Sequence, residues 1–191
     1  MEVFLYNFNF LLFNLSLAFI ALLFGYLMLR VKSNVFKTLY GFIWFIFLPN
    51  TIYILTDFSH LYEDWSKVDL IFKLVLITQY AIFAILGALT FIYAVYFFER
   101  LLERKNKKGR KPTAFLIILI LNFIVGFGVI LGGVQRTNSW DVLVNPVRVI
   151  NDSFGILNSP YLLKLSILSG VLFNTIYFYF VKPVTKWGKK K

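Results

Sequence analysis

Five apolar stretches, each about 20 residues or longer, constrain this chain more than any other feature of it. They run over about 8–29, 38–60, 69–98, 114–133 and 161–181. A helix of about 20 apolar residues crosses the ~30 Å hydrocarbon core of a bilayer. Lipid offers the backbone no hydrogen-bond partners, so each stretch is expected to be a helix that satisfies itself. Composition agrees. Hydrophobic residues make up 59% of the chain and charged residues 15%, against about 45–50% and 25% in soluble domains. The expected class is an all-α, polytopic membrane protein with five transmembrane helices in a single domain, 1–191.

The third stretch is longer than a bilayer requires. Its ~30 residues reach ~45 Å, so its last turns are expected to project into water. They carry Glu99, Arg100, Glu103, Arg104 and Lys107, with Glu103 and Lys107 at helix-supporting i,i+4 spacing. The first stretch does not read as a signal peptide. It lacks a basic lead-in, and Arg30, Lys32 and Lys37 follow it rather than precede it.

The net charge of +11 would suggest nucleic acid in a soluble protein. Sorted by the sides of a five-helix arrangement, it means something else. Loop 30–37, loop 99–112 and the tail after 181 carry fifteen basic residues and only Glu99 and Glu103, or +13. The other side holds Lys67, Lys73, Arg136, Arg148 and Lys164 against Glu2, Asp57, Glu63, Asp64, Asp69, Asp141 and Asp152, or −2. The positive-inside rule then places the N-terminus outside and the C-terminus in the cytoplasm, with no nucleic-acid partner implied. There is no Cys, which excludes disulfides and thiolate chemistry, and one His, which excludes a multi-His metal cluster within one chain.

Local punctuation supports the boundaries. Ser66 to Asp69 reads as a capping box opening the third helix. Pro112 and Pro160 sit where first-turn prolines are tolerated, and Pro183 is expected to help stop the fifth helix. Trp65, Trp140 and Trp187 fall near expected interfaces.

Polar groups inside a bilayer are expensive, so their positions carry most of the functional information. With the second helix at 38–60, Pro49 and Asn50 fall at its midplane, and the proline predicts a kink. Asn50, Tyr53, Asp57 and His60 are spaced 3, 4 and 3 apart and so share one face, a polar track leading in from the outer surface. A second cluster follows the fourth helix: Arg136, Thr137, Asn138, Ser139, Trp140 and Asp141. Gly128 and Gly132 form a GxxxG pattern that permits close helix approach. The second and fourth helices are therefore expected to pack together and bring Asp57, His60, Arg136 and Asp141 near one another.

These two segments resemble a known family. Pro49-Asn50-Thr51-Ile52-Tyr53 with Thr56-Asp57-Phe58-Ser59-His60-Leu61 is similar to a Pro-Asn-x-x-Tyr…Thr-Asp-x-x-His-Leu signature, and Arg136-Thr137-Asn138-Ser139-Trp140-Asp141 to Arg-x-Asn-Ser-Trp-Asp. Both are signatures of a bacterial membrane family, the domain of unknown function numbered 1361. The resemblance covers roughly 35–180 and implies the bacterial inner membrane, but no activity. The family's Gly-Ile-Tyr-Leu-Gly-Arg stretch is altered here, with Val129 or Ile130 and Gly133 in place of its Tyr and Arg.

Several readings of these residues stay open. The first is a ligand site for a small polar molecule or lipid head group, built from Asn50, Tyr53, Asp57, His60, Arg136, Asn138, Trp140 and Asp141. The second is a membrane-embedded enzyme acting on a lipid-linked substrate, with Asp57 as general base, His60 as its partner and Arg136 stabilising charge. Asp57, His60 and Asp141 would be its metal candidates, an N/O set suited to Zn, Mn or Fe. The third is a polar network that merely locks helices together. A complete catalytic motif is lacking, so the balance falls against an enzyme, and no cofactor is expected. Proton-coupled transport through Asp57 would be a further reading, but the sequence has no inverted repeat and no pair of broken helices. Arg148 is expected to snorkel or pair with Asp141, and Asn7, Asn9 and Asn14 to hydrogen-bond neighbouring helices.

Overall fold

A computed structural model describes residues 2–53, 65, 69–105 and 111–187. In chain order the helices are α1 (Glu2–Arg30), α2 (Asn34–Phe47), α3 (Asn50–Tyr53), α4 (Leu70–Lys105), α5 (Lys111–Gly133), α6 (Asp141–Val144), α7 (Pro146–Asn158) and α8 (Pro160–Trp187). Among the described residues, five stretches are long and apolar enough to cross a membrane: Phe8–Arg30, Asn34–Tyr53, Leu70–Arg104, Thr113–Gly133 and Pro160–Lys186. The protein is thus an all-α, multi-pass membrane protein. The capping box at Ser66–Asp69 and the Glu103–Lys107 pair involve residues outside those described. Glu103 meets Arg100 at 2.6 Å.

The second span starts at Asn34 rather than 38, because a lysine in an exposed first turn does not prevent helix formation. Pro49 interrupts it as expected. Proline lacks an N–H, so Leu48 N–H donates to Phe45 O (3.4 Å), and Thr51 N–H turns to Leu48 O (3.1 Å). The Asn50 amide nitrogen donates to the Phe47 carbonyl (3.2 Å), and the Thr51 hydroxyl to that of Leu48 (2.7 Å). Side chains just after the break thus bond the carbonyls just before it. Pro183 does not stop the last helix. It lies inside α8, which runs on to Trp187. So near a helix end a proline costs few bonds, and the Thr185 hydroxyl donates back to Val181 O (2.6 Å).

One end of the bundle gathers three C-termini. The Arg104 guanidinium caps the Leu29 carbonyl of α1 (3.0 Å), the Tyr93 hydroxyl donates to Val184 O of α8 (3.2 Å), and the Tyr177 hydroxyl donates to Glu99 (2.7 Å). The basic residues Arg30, Arg100, Arg104 and Lys186 therefore share that end. The opposite end, where α5 finishes at Gly133, carries α6, α7 and the Pro49 break.

The principal neighbour of α5 is α8. A Cβ on Gly126 would lie 2.6 Å from Gly170 N and 2.7 Å from Ser166 O, so two backbones touch at this crossing. Ser166 and Gly170 are four apart, the small-xxx-small spacing of close helix pairs. About one turn away, the buried Asn122 amide donates to Asn174 Oδ1 (3.0 Å), while Asn174 Nδ2 donates to Gly170 O (2.9 Å). A double-mutant cycle of Asn122→Ala and Asn174→Ala, read by reversible unfolding in detergent, is expected to give a coupling of about 0.5–2 kcal/mol. A coupling of zero would show that the two amides do not cooperate.

Candidate functional site

The Pro49 break delivers the site. The Gly128–Gly132 face of α5 receives side chains rather than another backbone. A Cβ on Gly128 would lie 2.6 Å from Pro49 Cγ, and Cβ atoms on Gly132 and Gly133 would lie 3.4 and 3.6 Å from the Tyr53 ring. The expected packing of the second span on the fourth is therefore present, with Pro49 and Tyr53 seated on glycines. It places Asn50 at the Gly133 end of the bundle rather than at mid-depth. There its Nδ2 donates to Ser139 Oγ at 2.7 Å, joining two motifs 89 residues apart.

Beyond Gly133 the chain makes a wide turn closed by Thr137 N–H on Leu131 O (3.2 Å). Arg136 sits in this turn with φ 57°, the single positive value among the described non-glycine residues. The left-handed region costs a side-chain-bearing residue roughly 1–2 kcal/mol, and glycine is its ordinary occupant. Strain of this kind persists only where surrounding contacts over-determine it.

Those contacts come from α7, a helix not anticipated from the sequence. Its signal was present: Asn145 caps it by accepting from Arg148 N–H (3.2 Å), and Pro146 occupies its first position. From α7, Arg148 donates to the carbonyls of Arg136 (3.0 Å) and Gln135 (3.4 Å). It also pairs with Asp152 (3.4 Å) and Asp141 (3.7 Å). Asp152 accepts from the Thr137 hydroxyl (2.6 Å), and Asp141 from Asn138 N–H (2.7 Å). The two carboxylates and one arginine thus clamp the turn 135–138. Arg148 behaves as expected, as the partner of Asp141.

The break, the turn and the first half of α1 border a partly open cavity of about 410 Å³, within the range typical of small-molecule sites. Asn50, Tyr53, Arg136 and Asn138 line it, together with Thr137 and Ser139. Trp140 and Asp141 stand beside it. Trp140 packs edge-on against Phe13 of α1 (6.5 Å between centroids), and Asp141 is buried within the clamp. Asp57 and His60 lie outside the described residues. Among the described residues no three His, Cys, Asp or Glu gather into a metal-ligating group.

Asn14 of α1 is expected to hydrogen-bond a neighbouring helix. It lines the cavity instead, 7% exposed, with its Nδ2 unpartnered among the described residues. One of three amides on the same helix, it gave no sign of facing a cavity that only folding creates.

Neither a curated protein nor a solved structure matches the chain. A family model does, that of the protein of unknown function (DUF1361), over residues 13–176. The matched span takes in both motif segments, the clamp on α7 and Asn14. Covering most of its length, this match makes the chain a member of the DUF1361 family.

Proposed function

We propose that this protein is a bacterial inner-membrane component, one domain over 1–191, whose cavity binds a small polar ligand or lipid head group. The observation that carries this reading is the cavity of about 410 Å³ lined by Asn50 and Tyr53 from one motif and Arg136 and Asn138 from the other. A purely structural network would be expected to consume its polar groups in mutual bonds and leave no such space. Asp57 and His60 share a helical spacing with Asn50 and Tyr53 and are proposed at the outer mouth of the site, beyond the described cavity.

The reading is tested by single alanine substitutions at Asn50, Tyr53, Arg136 and Asn138, comparing lipids and metabolites that co-purify with each variant. Loss of a co-purifying compound from well-folded variants is the expected result. An unchanged profile from four folded variants would refute a ligand site.

In this reading the N-terminus and the cavity lie outside and the basic end lies in the cytoplasm. The chain contains no cysteine, so single introduced thiols report without background. Ser159→Cys, between α7 and α8, should react with a membrane-impermeant maleimide on intact cells. Ser33→Cys, between α1 and α2, should react only after permeabilisation. The reverse pattern would overturn the orientation.

A further inference from the structure

Resting on the ligand-site reading above, we infer that the cavity recognises a phosphate ester carried on an amphiphile. Three observations converge on an anion. First, no Asp or Glu is found among the described residues lining the cavity, and Arg136 is the one charged residue there. Second, the two nearby carboxylates are already committed. Asp152 faces Arg148 and Thr137, and Asp141 faces Arg148 and the Asn138 amide. Neither neutralises Arg136, whose guanidinium makes no ion pair or hydrogen bond with any described residue. Third, Asn14 holds a buried amide donor without a partner on the same cavity. A buried donor is costly to leave unmade, so an acceptor is expected there.

The backbone adds direction. Arg136 occupies a left-handed position that glycine would fill with less strain, and the Arg148 clamp holds it there. A guanidinium fork matches phosphate and carboxylate oxygens alike. Here the second donor, Asn14, comes from α1 rather than from the turn that carries Arg136, which suits the tetrahedral spread of phosphate oxygens better than a flat carboxylate. Phe10, Phe13 and Leu17 of α1 border the same cavity and provide an apolar wall for the rest of the ligand. The phosphate could reach this site on a lipid or as a free ion. The apolar wall favours the lipid.

The test uses the full chain in detergent and three probes: dioleoyl phosphatidic acid, dioleoylglycerol with the same chains but no phosphate, and inorganic phosphate. Binding is read by native mass spectrometry. Phosphatidic acid is expected to bind roughly tenfold or more tightly than dioleoylglycerol, an advantage that Arg136→Gly abolishes and Asn14→Leu reduces. Arg136→Gly relieves the strained backbone and should melt no lower than the native chain. Arg136→Lys, which keeps charge but loses the fork, should bind with intermediate strength. Leu17→Trp fills the cavity without touching its charge and should exclude the lipid.

Equal binding of both lipids, still blocked by Leu17→Trp, would overturn the phosphate assignment and leave the cavity reading standing. Inorganic phosphate binding as tightly as phosphatidic acid would overturn the amphiphile and support the anion. Lipid binding indifferent to both Arg136→Gly and Leu17→Trp would overturn the inference and the cavity reading together.

Discussion

Gly126→Leu will drive α5 and α8 apart and remove the protein from the folded membrane fraction. A Cβ at this position already meets backbone atoms at 2.6 and 2.7 Å, and a backbone cannot swing aside as a side-chain tip can. Overpacking a core typically costs 1–3 kcal/mol, and about 3 kcal/mol or more is expected where both contacts are main-chain. Separation would also break the Asn122–Asn174 bond nearby. Gly126→Ala should be milder but still lower the melting temperature clearly. Gly155→Ala is the control. Its Cβ would meet only the Gln135 amide tip at 3.5 Å, and alanine is the better helix former by about 1 kcal/mol. The measurement is size-exclusion profile and thermal stability of the three variants in one detergent. A Gly126→Leu protein that is monodisperse with native stability would show that this crossing does not set the fold.

Arg148→Ala will loosen the turn that carries Arg136. The guanidinium serves two carbonyls and two carboxylates, and one of these, Asp141, is only 7% exposed. Truncating one member of a buried charge network leaves the others uncompensated, which is more damaging than the net worth of the pair. Arg148 is itself 41% exposed, so the screened cost is about 1–3 kcal/mol. The expected reading is amide exchange over 134–141 accelerated roughly tenfold or more, with exchange in α5 and α8 unchanged. Asp152→Asn, which retains an acceptor for Thr137 but loses the charge, should fall between native and Arg148→Ala. Unaltered exchange in that turn would mean that α7 is not what holds Arg136 in its left-handed conformation. The two predictions separate the bundle from the site: the first acts at a helix crossing, the second on a turn beyond the helix end.

Hydropathy is a property of the linear chain, and so is the alternation of basic and acidic connections. Five spans, the sharing of one end by Arg30, Arg100, Arg104 and Lys186, and the interruption at Pro49 were therefore legible without coordinates. The GxxxG pattern was legible as a close-packing surface, because a missing side chain means the same thing in any context. That the second span would sit on it was also expected, but not which of its side chains would fill it. Pro49 and Tyr53 occupy it, while the tighter, backbone-to-backbone contact uses Gly126 against Ser166 and Gly170. Both faces carry small residues, and composition alone does not rank them.

The site was legible in its residue types and less so in its connections. The Asp141–Arg148 pair was expected, but Asn50 and Ser139 are hydrogen-bonded across 89 positions, and Asn14 turns into the cavity rather than toward a neighbouring helix. The sequence by itself determined that this chain crosses a membrane five times and that two polar segments resist the surrounding apolarity, because the bilayer acts on each segment separately. Only the tertiary structure decided which of those polar groups satisfy one another and which are left facing a cavity. That outcome depends on how closely glycines let helices approach, and on a turn that holds Arg136 at φ 57°, where arginine would not settle unaided.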